Sequence, residues 1–437
     1  MFCSRRLHLA GGTGPSKGRN RGKVNSHARR VKMSKGIFRS KWIVLATAAI
    51  MVVALGALGC SKKEEAPMKE TSQEPIVIGG IFDTTGPTSD VGQDYAQGAL
   101  DAADYINANG GVNGRPVELI ANDYAYKPDK AVELYKTYKD QGIFLIQGWG
   151  TGDTNALKAL VSKDEIVYIS ASYDSGINDP AKTPYNFYAS ASYGEAIRAA
   201  MQFVADSGKT KVVFIYPDHP YGKNPIPAGK AMAEELGLEV GPDQFVALNA
   251  TDAVSQLTNM KKFNPDWAWI GGTVASTAVI IKDAAKLGLD TKFLVNVWGF
   301  DENLLKLTGD AAKERVYGMG PFAMWGEDVP GMKAPMEMHK TKHPDDTHTV
   351  HYIQGWTSMM IMWEGLKRAS SLDGPSVKAA LETLRDFDTG GLTAPITFTP
   401  TDHRPNTTLN INKIDSDGKI VTVKTVTLER RPEWLGQ

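Results

Sequence analysis

Four histidines, His339, His343, His348 and His351, fall within thirteen residues. Imidazoles this close can hold a transition metal. Here Pro344 and Asp345-Asp346 break the element between the pairs, and Lys340 and Lys342 repel a cation. A solvated helix end without metal is the expectation. His219 beside Asp218 has the makings of a catalytic dyad, but neither Gly-x-Ser-x-Gly nor His-Glu-x-x-His accompanies it. It reads as a satisfied loop histidine, and the chain as a non-enzyme. Ser207-Gly208-Lys209-Thr210 imitates the end of a phosphate loop, yet Phe203 stands where the first glycine belongs and the segment precedes a strand. Gly148-Trp149-Gly150-Thr151-Gly152 lacks the third glycine of a dinucleotide fingerprint, a place held by Asp153. No cofactor is expected.

More informative are three loops rich in glycine and hydroxyls: Asp83–Ser89, Gly148–Thr154 and Ala171–Ser175. Each follows a short β-branched run. Backbone N–H groups in such loops approach a small anion at a helix start, and Trp149 and Tyr173 add flat apolar walls. One such loop is an ordinary turn; three at equivalent strand ends make a ligand site, because parallel α/β sheets bind at the carboxyl ends of their strands.

The elements that must position these loops alternate. Strands are predicted at Ile76–Phe82, Pro116–Ala121, Ile143–Gln147 and Ile166–Ser170, with helices at Gln93–Asn107, 129–140 and Thr154–Ser162. A second cycle places helix Glu195–Asp206, strand Lys211–Tyr216, helix Gly222–Leu236 and strand Glu239–Val246. Helix Ala253–Lys262, strand Trp267–Ile270, helix Ser276–Leu287 and strand Phe293–Val297 complete it. The class is α/β: two doubly wound parallel-sheet lobes. After Tyr317 the rhythm changes to helices Pro330–Lys342, Tyr352–Ala369 and Gly374–Leu384, then an antiparallel pair over Ile411–Leu428. Met359, Met360, Met362, Trp363 and Leu366 form a stripe at helical spacing that belongs in a core.

The net charge of zero over 437 residues averages two opposite pieces. Residues 1–41 carry 12 Lys/Arg and no acid, leaving 37 basic against 49 acidic residues in the remainder. An acidic body lacks the basic footprint of a nucleic-acid binder. With 42% hydrophobic residues it is no disordered chain. The only cysteines, Cys3 and Cys60, lie outside the body, which excludes a disulfide scaffold or thiol nucleophile there.

Trp42–Leu58 is an uncharged, mostly apolar run ending at Ala57-Leu58-Gly59-Cys60. Residues 1–59 read as a basic leader with an export signal whose start is Met33. The final tetrad resembles a bacterial lipobox, which implies a lipid anchor on Cys60; residues 60–75 then read as a flexible tether.

From Glu74 to Glu429 the chain resembles the branched-chain amino-acid-binding (leucine/isoleucine/valine-binding) family of periplasmic solute receptors for ABC transporters. The stretch carrying it is Ile106-Asn107-Ala108-Asn109-Gly110-Gly111-Val112-Asn113-Gly114-Arg115-Pro116-Val117-Glu118-Leu119, after Gly86-Pro87 and before Asn122-Asp123. Tyr221-Gly222 and Gly271-Gly272 also match. The resemblance implies a type I periplasmic binding fold with a three-crossing hinge near Tyr188–Tyr193, Tyr317–Met324 and Leu392–Phe398. Lobe one would be 76–190 plus 325–391, and lobe two 191–320 plus 395–430. It further implies a monomer that clamps a small ligand and presents it to a membrane permease.

By position, the family's carboxylate-binding turn falls on Thr151 with Gly150 and Gly152, its next contacts on Ser172 and Asp174, and its second-lobe contacts on Tyr221 and Thr273. Trp149, Tyr173 and Trp298 complete the expected site. The family's acidic partner for a ligand ammonium is missing: Asn296, Val297 and Trp298 stand in that region. Either Asp174 or Asp301 substitutes, or the ligand is an aromatic carboxylate, an amide or a urea-like solute. A ligand sensor and an exported α/β enzyme are the remaining alternatives.

Overall fold

A computed structural model describes residues 74–437. The leader, Cys60 and all but the end of the tether lie outside the described residues. In chain order the first part runs β1 (Ile76–Phe82), α1 (Ser89–Ala108), β2 (Val117–Asp123), α2 (Pro128–Asp140), β3 (Leu145–Gly148), α3 (Thr151–Lys163), β4 (Val167–Ser170) and β5 (Asn186–Phe187). Next come α4 (Tyr193–Asp206), β6 (Lys211–Tyr216), α5 (Pro220–Lys223), α6 (Ile226–Glu235), β7 (Glu239–Val240), β8 (Gln244–Phe245), α7 (Val254–Phe263) and β9 (Trp267–Ile270). Then follow α8 (Val274–Lys286), β10 (Lys292–Val295), α9 (Leu304–Thr308) and β11 (Val316–Gly320). The chain ends with α10 (Lys333–Lys342), α11 (Val350–Arg368), α12 (Gly374–Leu381), β12 (Thr408–Ile414) and β13 (Ile420–Thr427).

Two sheets result. The first, ordered β2-β1-β3-β4-β5, is wholly parallel; the second is ordered β13-β12-β11-β10-β9-β6-β7, with β8 also on β6. Its only antiparallel pairings are β11 with β12 and β12 with β13. The chain passes between the sheets after β5, after β11 and before β12.

The differences from the sequence reading have physical causes. The expected helix over 222–236 breaks at Asn224-Pro225, where proline cannot donate and α6 restarts. The expected strand over 239–246 survives as two short pairings around Gly241-Pro242. β11 lies where the alternation was read as ending, and α1, α3 and α8 each begin two to four residues earlier than apolar periodicity indicates. The first turns of α1 and α3 carry polar residues, Ser89 and Asp90 in one and Thr151 and Asp153 in the other, which break the apolar pattern.

α1 and α11 run side by side in the same direction: Asp94 meets His348, Asp101 meets Tyr352, and the Gly111 carbonyl accepts from Trp363. Their backbones touch. A Cβ on Gly98 would lie 2.0 Å from the Tyr352 carbonyl oxygen, and one on Gly355 2.0 Å from that of Tyr95. The buried Tyr95 hydroxyl donates to Ser358 and accepts from Gln147 of β3, tying both helices to the sheet.

Candidate functional site

β3 ends at Gly148, and the chain turns through Trp149 and Gly150 into α3. Asp153, in the first turn of α3, accepts from the Gly150 N–H at 3.1 Å and from the Tyr124 hydroxyl at 2.6 Å. Burial pushes its carboxyl up to about 7, with the hydrogen bonds opposing. Because the ordinary value is 3.8, the native state holds this proton more tightly than the unfolded chain. That contribution to stability is complete below pH 4 and is lost as the pH rises through 7. Asp153→Asn keeps an acceptor for Tyr124, and it is expected to remove a stability loss of at most about 1.4 kcal/mol per pH unit across that window. Urea melts of both proteins at pH 5, 6.5 and 8 measure it; parallel curves would refute it.

The Thr151 and Ser172 hydroxyls bond at 2.7 Å. Trp149 donates its indole N–H to Thr88 Oγ1 at 2.9 Å, and Thr88 donates onward to the buried Asp83 carboxylate at 2.6 Å. The second lobe supplies the facing wall. Tyr221 donates to the Gly272 carbonyl at 3.0 Å, and Thr273 stands immediately before α8 with its hydroxyl making no capping bond to the helix. Trp298, just past β10, donates to the Tyr193 hydroxyl at 2.8 Å. Its ring enters the first lobe, lying flat against Tyr173 at 5.6 Å and His351 at 5.2 Å, and edge-on to Trp149 at 4.9 Å.

These side chains line a partly open pocket in which the room for a water molecule is only about 20 Å³. Of the ten expected residues, Trp149, Gly150, Thr151, Tyr221, Thr273 and Trp298 line this cavity. Four sit behind it. Ser172 supports Thr151, Tyr173 supports Trp298, and Gly152 faces His219. Asp174 accepts from Asn224 at 2.6 Å and from the Gly176 N–H at 3.1 Å. Thr88 and Ala171, which fall in the two other glycine- and hydroxyl-rich loops, also line the cavity, as do Val91, Tyr126 and Tyr193, which no sequence signal marked as site residues. No charged side chain is in the lining. Asp301 is buried against His351, with oxygen and ring nitrogen 3.7 Å apart. Burial raises its carboxyl, and the His351 charge offsets this in part.

Of the four histidines, His339 and His343 lie against His348 with ring centroids 4.9 and 6.2 Å away, and His348 and His351 are buried, not on a solvated helix end. His219 accepts from the Tyr221 N–H at 3.2 Å, and Asp218 turns to Lys223. His348 bonds Asp94 at 2.6 Å, and His351 bonds Gln354 at 2.8 Å.

Several bonds cross the cleft. Asp90 of α1 accepts from the Ala275 N–H at 2.9 Å, at the start of α8. In the reverse sense, Glu302 of the second lobe accepts from the Val350 N–H at 3.0 Å, at the start of α11, and from the Trp325 N–H at 2.5 Å. A carboxylate is favoured at a helix N-terminus, so each lobe caps a helix of the other. Burial nevertheless pushes the Glu302 carboxyl up to about 7.

The sequence profile of the family described as "Periplasmic binding protein" matches residues 75–419, most of the chain. The chain belongs to that family. Among periplasmic binding proteins it is similar to the leucine-, isoleucine-, valine-, threonine- and alanine-binding protein of Pseudomonas aeruginosa, 25% identical over 310 residues that cover 68% of this chain and 79% of the relative. An ABC-transporter substrate-binding protein from Aeropyrum pernix superposes with a TM-score of 0.78 at 32% identity, covering 83% of this chain and 98% of that one. A branched-chain amino acid ABC-transporter protein from Thermus thermophilus, solved with bound valine, gives 0.77 at 25% identity, covering 82% and 97%. The type I periplasmic binding fold expected from the sequence is the fold found. None of the described helices is long and apolar enough to cross a membrane.

Proposed function

We propose that this periplasmic binding protein is the extracytoplasmic receptor of an ABC importer, anchored through acylated Cys60, that closes over a small carboxylate-bearing solute and presents it to a permease. The carboxylate would sit on the free amides and hydroxyl at the start of α3, and the apolar part against Trp149, Tyr221 and Trp298. The observation that carries this reading is a cleft walled by aromatics and threonines, with a helix N-terminus aimed into it and no charged side chain in its lining. The names of the relatives favour a branched-chain or aromatic amino acid.

That same uncharged lining favours a second reading. A buried ammonium without a carboxylate partner is costly, which points to an apolar or aromatic carboxylate, or an amide, without the amine.

Matched pairs decide between them: L-leucine against 4-methylpentanoate, and L-phenylalanine against 3-phenylpropanoate, at millimolar concentration in a thermal-shift assay. A solute at 1,000 times its Kd adds about 4 kcal/mol of stability. A response to the amino acids alone supports the first reading, and one to the des-amino partners the second. Silence from every carboxylate would overturn the first reading and the carboxylate form of the second.

A further inference from the structure

A second cavity lies away from the cleft, between α1, α10, α11 and the loop Phe387–Leu392 that runs toward β12. Val91 of α1 lines the cleft and Tyr105 lines this cavity, fourteen residues or about 21 Å further along the same helix. The two share no lining residue, so this one is reached whether the lobes are parted or shut. Its room for a water molecule is about 390 Å³, against about 20 Å³ in the cleft, and falls in the range of about 300–1,000 Å³ usual for small-molecule sites.

Its walls are held in place by the protein itself. Tyr105 and Trp356 pack together with ring centroids 5.1 Å apart and planes at 47°. At the rim the Gly331 N–H donates to the Gly390 carbonyl at 2.8 Å, and a Cβ on Gly331 would lie 2.3 Å from the Thr389 carbonyl oxygen. The Thr389 hydroxyl donates to the Thr393 carbonyl and accepts from the Thr393 N–H, both at 3.0 Å. Asp388 is fixed through one carboxylate oxygen, which accepts from the Gly390 N–H at 2.7 Å.

The chemistry of the lining is one-sided. Tyr105, Trp356, Phe387 and Met360 supply apolar and aromatic surface, and Lys333, Glu337 and Asp388 supply charge. Two carboxylates outnumber one ammonium, and aromatic faces attract a cation. A small carboxylate entering here would meet one lysine and two like charges; a protonated amine meets the reverse.

We propose that this cavity is a second ligand site, outside the cleft, for a small apolar amine in its ammonium form, with Glu337 and Asp388 taking the charge and the aromatic rings the apolar body. It does not depend on which solute the cleft takes.

The test labels the methionine methyls of the full chain for NMR, assigns Met360 through Met360→Leu, and titrates two probes that share a ring and differ in charge, 2-phenylethylamine and 3-phenylpropanoate. The amine is expected to shift the Met360 methyl saturably at millimolar concentration, and the carboxylate to leave it in place. Glu337→Gln combined with Asp388→Asn, which keeps an acceptor for Gly390, should weaken the amine at least about tenfold at an unchanged melting temperature. Ala334→Phe, which fills the cavity, should abolish the shift. No saturable shift with the amine overturns the proposal. So does an equal response to the carboxylate, an affinity in the double variant within twofold of wild type, or a shift that survives Ala334→Phe.

Discussion

Trp298→Ala is expected to weaken capture of any solute about 100- to 1,000-fold. The indole is 4% exposed, hydrogen-bonded to Tyr193 and flanked by Tyr173, His351 and Trp149. Removing a buried tryptophan side chain costs about 3–5 kcal/mol. The ring belongs to the second lobe while its flat and edge contacts belong to the first, so most of that loss falls on the contact between lobes and little on the folding of either. At 1.4 kcal/mol per decade, the affinity loss follows. Tyr193→Phe removes the indole's acceptor and the hydroxyl's long 3.4 Å bond to the Ala171 carbonyl, and should cost about 1–2 kcal/mol, several-fold to about thirtyfold. Calorimetry with whichever probe stabilises the wild type measures both, and scattering of the ligand-free chain should report a larger radius for Trp298→Ala. An affinity within threefold of wild type would refute the assignment of Trp298 as the main inter-lobe contact.

Solute binding should also strengthen as the pH falls through 7, and Glu302 should be the cause. With the lobes in contact its carboxyl sits at about 7; separated from Val350 and Trp325 it returns toward its ordinary 4.5. Between those values the closed form binds a proton that the open form lacks. Closure is therefore favoured in acid, and the affinity falls by at most tenfold per pH unit up to pH 7, then levels off. Asp301 beside it is raised in the same direction. His219 acts oppositely: burial, helped by Lys223, lowers its imidazole below 6.5, so closure expels a proton there and blunts the gain on the acid side. Glu302→Gln isolates the carboxylate. Its affinity should lose the rise between pH 8 and 6.5, and its calorimetric heat should lose the dependence on buffer ionisation enthalpy. Identical slopes in wild type and variant would refute the mechanism.

Much of this architecture was legible because strand–helix alternation is a local pattern. Ile76–Phe82, Lys211–Tyr216 and Trp267–Ile270 are short apolar runs between turn residues, and their strands occupy those bounds. The loop at the carboxyl end of β3 led to Thr151, since that placement is a property of the fold, whereas Thr273 came from its position in the family's pattern. Trp298 came from position along the chain. Tyr126 and Tyr193 stayed hidden as site residues, and Thr88 was marked only as part of the Asp83–Ser89 loop, because their roles arise from contacts between segments distant in sequence: Thr88 accepts from Trp149, and Tyr193 accepts from Trp298. Nothing in the composition of Ala125-Tyr126 signals a positive φ, which neighbouring structure imposes. Asp174 was placed by position as a ligand contact, and its carboxylate instead reaches Asn224 of the opposite lobe.

The glycine contact between α1 and α11 bears on how the receptor moves. With backbones touching at Gly98 and Gly355, the two helices cannot slide past each other without steric overlap. Asp90 near the start of one and the Val350 amide at the start of the other are therefore carried as a single rigid body. Both of their bonds to the second lobe must form within the same swing. Half-shut arrangements forgo both attachments while already sacrificing hydration, so they are sparsely populated. The two lobes should therefore behave as a two-position switch, either parted or shut, with few intermediate degrees of closure.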